Sequence, residues 1–277
     1  MAVLEVGDHR IGYHEAGRED APLVIFAHCS LGHGGLWRGV MAALSEDWRC
    51  VAADLPGHGQ STRGETSISL QDQAARDVAA LASELGDGRA HLVGLSLGGA
   101  IMARAAIRIP GLARSLAMLE PILMHLLKDT DPEMAEDNHR LMKPVVDACA
   151  EERWRDGAKA FMDNWGQPGQ FEKFPEAAKA AVAEAMKWIS RDFPMAHSYV
   201  AGQIDRADLG DIAVPTVLMQ GERTQPSAKA VVTEVAGAVS QAEIVELPGV
   251  GHLSPVEDPT LVASRLAPFL RAAEAAA

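Results

Sequence analysis

Six short apolar runs divide this chain, and most of them are unbroken instead of alternating: PLVIFA (22–27), CVAA (50–53), AHLV (90–93), SLAML (115–119), PTVLM (215–219) and EIVEL (243–247). An unbroken run of this length reads as a strand buried on both faces. Between the runs lie stretches with helical periodicity, at 36–46, 71–85, 97–109, 227–238 and 259–274. Strand–helix alternation admits few architectures. It predicts an α/β fold with a mostly parallel central sheet and helices on both faces. The first pieces, AVLEV and RIGYH, flank Gly7-Asp8 and predict an N-terminal hairpin. Ligands on parallel sheets bind at the carboxyl ends of the strands, so chemistry is expected just after the apolar runs.

The alternation stops between residues 122 and 208. Amphipathic stretches take its place at 133–150, 154–165, 175–190 and 195–204, punctuated by Pro132, Pro144, Pro168, Pro175 and Pro194. They read as a helical lid inserted after the strand ending near Leu119. The expected division is a core of residues 1–121 and 209–277 and a lid of 122–208. A chain of 277 residues can bury a sizeable core without disulfides or metal. The cysteines, Cys29, Cys50 and Cys149, are odd in number and lack zinc-like spacing, which fits a reducing compartment. The N-terminal MAVLEVGDHR meets charged residues too early for a secretory signal. No apolar run approaches the roughly 18 residues of a membrane span. A cytoplasmic protein is expected. Lys and Arg number 25 against 38 Asp and Glu, a net charge of −13. That balance argues against nucleic acid and anionic membranes as partners and leaves a small-molecule substrate; a homodimer is compatible with it.

HLVGLSLGGA, residues 91–100, holds a G-x-S-x-G motif, Gly94-Leu95-Ser96-Leu97-Gly98, between an apolar strand and a helical pattern. That is the context in which the motif forms a sharp strand-to-helix turn and lifts the serine hydroxyl above a sheet. Gly94 and Gly98 remove side chains that would clash there. Ser96 is therefore the candidate nucleophile, and the Leu97 amide at the helix N-terminus can donate to a developing oxyanion. FAHCSLGHGG (26–35) is a glycine-rich loop able to aim further amides at the same place. In DLPGHGQS (54–61), Asp54 and His58 look like a catalytic pair, but a tight turn bonded to its own amides is the better reading. LPGVGHLSPVEDP (247–259) brings His252 after the last strand. The order nucleophile, acid, histidine makes it the candidate general base. No HExxH pair or GxxxxGK[ST] loop is present, so no metal and no cofactor are expected.

Taken in order, HCSLGHG, DLPGHGQS, GLSLGG and the late GVGH resemble the α/β-hydrolase family over residues 3–120 and 210–272. The chain looks most like its group of small carboxylesterases, enol-lactone hydrolases, cofactor-free haloperoxidase-like enzymes and carbon–carbon bond hydrolases. The resemblance implies a serine nucleophile, a histidine base, an acid, and two oxyanion-hole amides, carried here onto Leu97 and Ser30. Two positions depart from the family pattern. The loop begins His28-Cys29 instead of His-Gly, which is expected to crowd the oxyanion loop. The family places its acid three residues after the glycine that ends the penultimate strand, and here Gly221-Glu222-Arg223-Thr224 has threonine there.

Glu120, at the end of SLAML, is the first candidate replacement, since some family members place the acid after this earlier strand. Glu222 is the rival. A third alternative has neither in contact with His252. The function expected is cofactor-independent serine hydrolysis of an ester-like or lactone carbonyl through an acyl-enzyme. Carbon–carbon hydrolysis and perhydrolysis use the same residues, and an inactive hydrolase-like receptor is the reading from another class. Trp154, Trp165 and Trp188 lie in the lid stretch and are candidate substrate-binding residues for a small or medium, partly apolar substrate. The competing explanation is that a helical lid needs an apolar underside merely to pack.

Overall fold

The computed structural model describes residues 1–276 except 65, 66, 167 and 198–202, and the side chains of these except 192–197. Its sheet has eight strands: β1 (Ala2–Val6), β2 (His9–Ala16), β3 (Leu23–Ala27), β4 (Arg49–Ala53), β5 (Ala90–Leu95), β6 (Ala113–Leu119), β7 (Thr216–Gly221) and β8 (Ala242–Leu247). They run in the order β1-β2-β4-β3-β5-β6-β7-β8. β1 and β2 form the antiparallel hairpin, with Gly7 at φ 59° in its turn, and β2 pairs antiparallel with β4. From β4 through β8 every pairing is parallel.

The unbroken runs have a direct cause. Leu23, Ile25 and Ala27 of β3 face one apolar cluster while Val24 and Phe26 face a second on the other side of the sheet. Leu116 and Met118 of β6 divide from Ala117 and Leu119 in the same way. Full burial of each such side chain stabilises by about 1.5–3 kcal/mol, so a polar residue on either face is costly. β8 lies at the edge, and Ile244 is exposed. Glu243 and Glu246 stand on this strand, where charge discourages edge-to-edge pairing.

The helices are α1 (Arg38–Leu44), α2 (Leu70–Leu85), α3 (Leu97–Arg108), α4 (Leu127–Thr130), α5 (Pro132–Ala150), α6 (Trp154–Trp165), α7 (Gln170–Lys173), α8 (Glu176–His197), α9 (Arg206–Gly210), α10 (Pro226–Ala238), α11 (Ser254–Glu257) and α12 (Pro259–Ala275). α2, α3 and α10 contribute to the first cluster, and α1 and α12 to the second. Helices α4 to α9 occupy the chain between β6 and β7, and among the described residues that segment holds no strand. The proline punctuation expected there differs in detail. α5 runs through Pro144, and α8 spans Pro194. Pro144 lies on the solvent face, where the carbonyl its ring leaves unbonded can turn to water. The amphipathic stretch expected at 195–204 falls largely outside the described residues. No helix among the described residues is long and apolar enough to cross a membrane.

Candidate active site

Ser96 caps α3 with φ 57° and ψ −114°, a conformation that costs a non-glycine residue about 1–3 kcal/mol. The surroundings enforce it. A Cβ at Gly94 would meet the Gly98 carbonyl, and a Cβ at Gly98 would meet the Ala27 carbonyl at the end of β3. The elbow is thus pressed so tightly into the sheet end that only glycine fits on either side of the serine. Ser96 N–H donates to the Leu119 carbonyl at 2.8 Å, and Ile122 N–H donates to the Ser96 carbonyl at 3.1 Å. These bonds tie the elbow to the end of β6, where Glu120 follows.

Glu120 is itself left-handed, at φ 46°, and its side chain is almost fully buried, at 1% exposure. His252 Nδ1 lies 2.6 Å from Glu120 Oε2. The Thr224 hydroxyl donates to that same oxygen at 2.6 Å, and Gly221 N–H donates to Oε1 at 2.7 Å. Burial by itself pushes the carboxyl upward. The His252 hydrogen bond and charge, the Thr224 hydroxyl and the Gly221 amide outweigh it, so the group sits below the ordinary carboxylate range. An ionised Glu120 can only accept. Nδ1 of His252 is then the donor, and its Nε2 keeps a free lone pair. Glu222, the rival carboxylate, is exposed and accepts from Gly249 N–H at 2.8 Å; it braces the loop before His252.

Ser96 Oγ and His252 Nε2 have no hydrogen bond to protein groups among the described residues, and neither do the Leu97 and Ser30 amides. These are the groups a reacting carbonyl would engage, and such contacts often tighten only around substrate. Leu31, next to Ser30, sits at φ 61°. Of the four non-glycine residues with positive φ among the described residues, Leu31, Ser96 and Glu120 follow β3, β5 and β6. Backbone strain of this kind clusters at functional sites in proteins generally. The Cys29 side chain is buried in the second cluster with Phe26 and Trp37, and its sulfur lies beside Gly32 of the same loop, where the absence of a side chain gives it room. Burial pushes the Cys29 thiol up to about 12, and all three cysteines are free and buried.

The DLPGHGQS turn is held partly by its own groups and partly by the loop after β3. Asp54 accepts from Gly34 N–H at 2.7 Å and Gln60 N–H at 2.9 Å, and the Ser61 hydroxyl donates to the Asp54 carbonyl at 2.6 Å. His28 accepts at Nε2 from Leu55 N–H at 2.9 Å and faces the Cys29 carbonyl through Nδ1 at 2.7 Å, so the first loop is buttressed on this turn. Burial holds His28 well below the usual histidine range and His58 at about 4. Both therefore resist protonation when folded, whereas the unfolded chain takes up protons near pH 6.5. The contribution of His58 is present above about pH 6.5 and is lost as pH falls toward 4, on the order of 3 kcal/mol, and that of His28 is lost in the same direction. An NMR titration should find the His58 ring neutral at pH 5.5; a His58 resonance that titrates above pH 6 would contradict this.

The three tryptophans have different settings. The Trp165 ring centroid lies 5.1 Å from that of His252, and both line a cavity of about 270 Å³ with Gly166, Thr224 and Leu253. Trp188 packs against Gly57 of the DLPGHGQS turn, with the Arg191 guanidinium 4.9 Å above its ring. Trp154 lines a separate, open cleft of about 510 Å³ with Arg155, Ala183 and Lys187. The hydrogen bond of Thr224 to Glu120 and the positive φ of Leu31 are not foreseen from the sequence. Thr224 was visible only as a missing charge, and nothing in the sequence flagged Leu31. One group among the described residues has the composition of a metal site: the side chains of His14, His33 and Asp54 bring ligand atoms within 4.8 Å of one another. Asp54 and His33 already accept backbone N–H groups there.

Comparison with known proteins finds relatives over most of the chain. A model of the alpha/beta hydrolase family matches residues 24–265. The chain is 24% identical to a 2-(acetamidomethylene)succinate hydrolase of Mesorhizobium japonicum, covering 97% of this chain and 94% of that protein. It is 26% identical to a carboxylesterase of Bacillus subtilis, covering 92% and 82%. Among solved structures it resembles the enol-lactonase of Burkholderia xenovorans with a TM-score of 0.76 at 21% identity, covering 98% of this chain and all of that one.

Proposed function

Because the chain belongs to the alpha/beta hydrolase family and its relatives are named hydrolases and esterases, we propose that it is a cofactor-independent serine hydrolase. Its substrate is an ester-like or lactone carbonyl compound of small or medium size. The observation that carries this reading is the 2.6 Å contact of His252 Nδ1 with a buried, ionised Glu120. It leaves Nε2 to take the Ser96 proton as Oγ attacks the carbonyl. The Leu97 and Ser30 amides hold the oxyanion, the imidazolium returns the proton to the leaving group, and water frees the acyl-enzyme. Thr224 was the motive for the receptor alternative. With His252 holding a carboxylate from elsewhere in the chain, that motive lapses. Carbon–carbon hydrolysis and perhydrolysis share the same three residues and differ in what enters the site.

The test is hydrolysis of p-nitrophenyl esters of graded chain length, together with labelling by a serine-directed fluorophosphonate. Turnover with labelling supports the reading. A folded protein that does neither returns the receptor alternative to first place.

Helices α4 to α9 act in this reading as a lid over residues 122–208. Trp165→Ala and Trp188→Ala are expected to shift the preferred chain length, because one ring stands against His252 and the other against the turn after β4. Trp154→Ala, in its separate cleft, should leave that preference unchanged. Equal losses on all esters from all three changes would indicate destabilisation instead of selection.

A further inference from the structure

Thr224 stands three residues after Gly221, where the family pattern has its acid, and it carries no charge. Its hydroxyl nonetheless donates to Glu120 Oε2, the oxygen that also meets His252 Nδ1. Both distances are 2.6 Å, the short range of charge-assisted hydrogen bonds. Gly221 N–H holds the other oxygen at 2.7 Å. Three donors therefore grip one carboxylate, and two of them come from the last residue of β7 and the turn that follows it.

A tether is needed here for a physical reason. Glutamate has one more side-chain torsion than aspartate, and Glu120 starts from a strained backbone, φ 46°. Untethered, its carboxylate has rotamers that leave His252, and ordering a free side chain costs entropy. The side chain is 1% exposed, so bulk water does not replace a lost donor. We propose that Thr224 is a positioning residue whose hydroxyl fixes the Glu120 carboxylate so that Oε2 meets His252 Nδ1. The proposal rests on the reading of His252 as base and Glu120 as its acid.

Loss of the hydroxyl has two consequences in the same direction. The buried carboxylate takes up a proton more readily, because one of the donors that favour its charged form is gone. While still ionised it draws the imidazole proton more strongly. Each effect moves the acid limb of the kcat/KM profile to higher pH.

The experiment compares Thr224→Val, which keeps the shape without the hydroxyl, with Thr224→Ser, which keeps the hydroxyl. Two readouts are taken. One is the pH profile for p-nitrophenyl acetate. The other is the low-field proton NMR line of His252 Nδ1–H, assigned by its loss in Glu120→Gln. Thr224→Val is expected to lower kcat about tenfold, the scale of a hydrogen bond to a charged group, with little change in KM. It should also raise the acid limb and displace the low-field line. Thr224→Ser should restore kcat to within about threefold and return the line. If Thr224→Val does not fold, Thr224→Ala is read the same way. A folded hydroxyl-free variant with an unchanged pH profile and an unchanged low-field line overturns the proposal. So does a loss that serine does not restore. If the native protein hydrolyses no ester, the hydrolase reading fails, but the response of the low-field line still decides the role of Thr224.

Discussion

Ser96→Ala is expected to reduce ester turnover by roughly 10⁴–10⁶-fold, the scale seen when an activated serine is removed, and to abolish fluorophosphonate labelling. The expectation follows from the elbow. No other serine among the described residues combines a positive φ directly after a strand with the following amide, Leu97 N–H, left without a hydrogen bond. The change removes one oxygen and keeps the Cβ, so the contacts that force φ 57° remain and the fold should be retained. Alanine at this position relieves none of the strain. A melting temperature close to that of the native protein is therefore part of the prediction. Labelling that persists in the Ser96→Ala protein would move the nucleophile elsewhere.

Glu120→Gln is expected to lower kcat by roughly 10²–10⁴-fold, the cost of losing the carboxylate that orients a catalytic histidine. Glutamine has the same shape, but its amide carries no charge to offset an imidazolium. It also presents an –NH₂ to partners that now meet only acceptors. If that group turns toward Nδ1, His252 is driven to the tautomer with its proton on Nε2, which cannot take the Ser96 proton. If it turns toward Gly221, two donors oppose each other at 2.7 Å. Glu222→Gln is the control. That residue is exposed and contacts Gly249 N–H instead of the imidazole, so its replacement should cost less than about threefold, the scale of an exposed hydrogen bond. Equal losses from the two changes, measured on the same ester, would mean that the contact between Glu120 and His252 does not orient the base.

The parts of this protein legible in its sequence are those with a local cause. Strands buried on both faces are lined mainly by apolar side chains, so β3 is an unbroken apolar run, while β5 and β6 are nearly so and pair their buried His91 and Ser115 with each other. The elbow is legible because neighbouring carbonyls press on positions 94 and 98, and only glycine tolerates that approach. His252 is legible from its glycine-rich loop after the last strand. The DLPGHGQS turn is legible because Gln60 N–H and the Ser61 hydroxyl bond Asp54 within its own segment; the donation from Gly34, 20 residues upstream, is not.

Other features were decided only when distant segments met. His252 and Glu120 lie 132 residues apart, whereas Glu222 is much nearer in the chain. What separates the two carboxylates is register: Leu95 pairs with Leu119 and Leu119 with Met219, which sets Ser96, Glu120 and the turn after β7 side by side at the carboxyl ends of three adjacent strands. The donation from Thr224 to Glu120, the setting of Trp165 against His252 and the burial of Cys29 in the second cluster depend on the same closure. A local pattern records what one segment must bury or how it must turn. Which side chains then come within hydrogen-bond reach depends on strand pairing and side-chain direction, and neither is written in any single stretch of the chain.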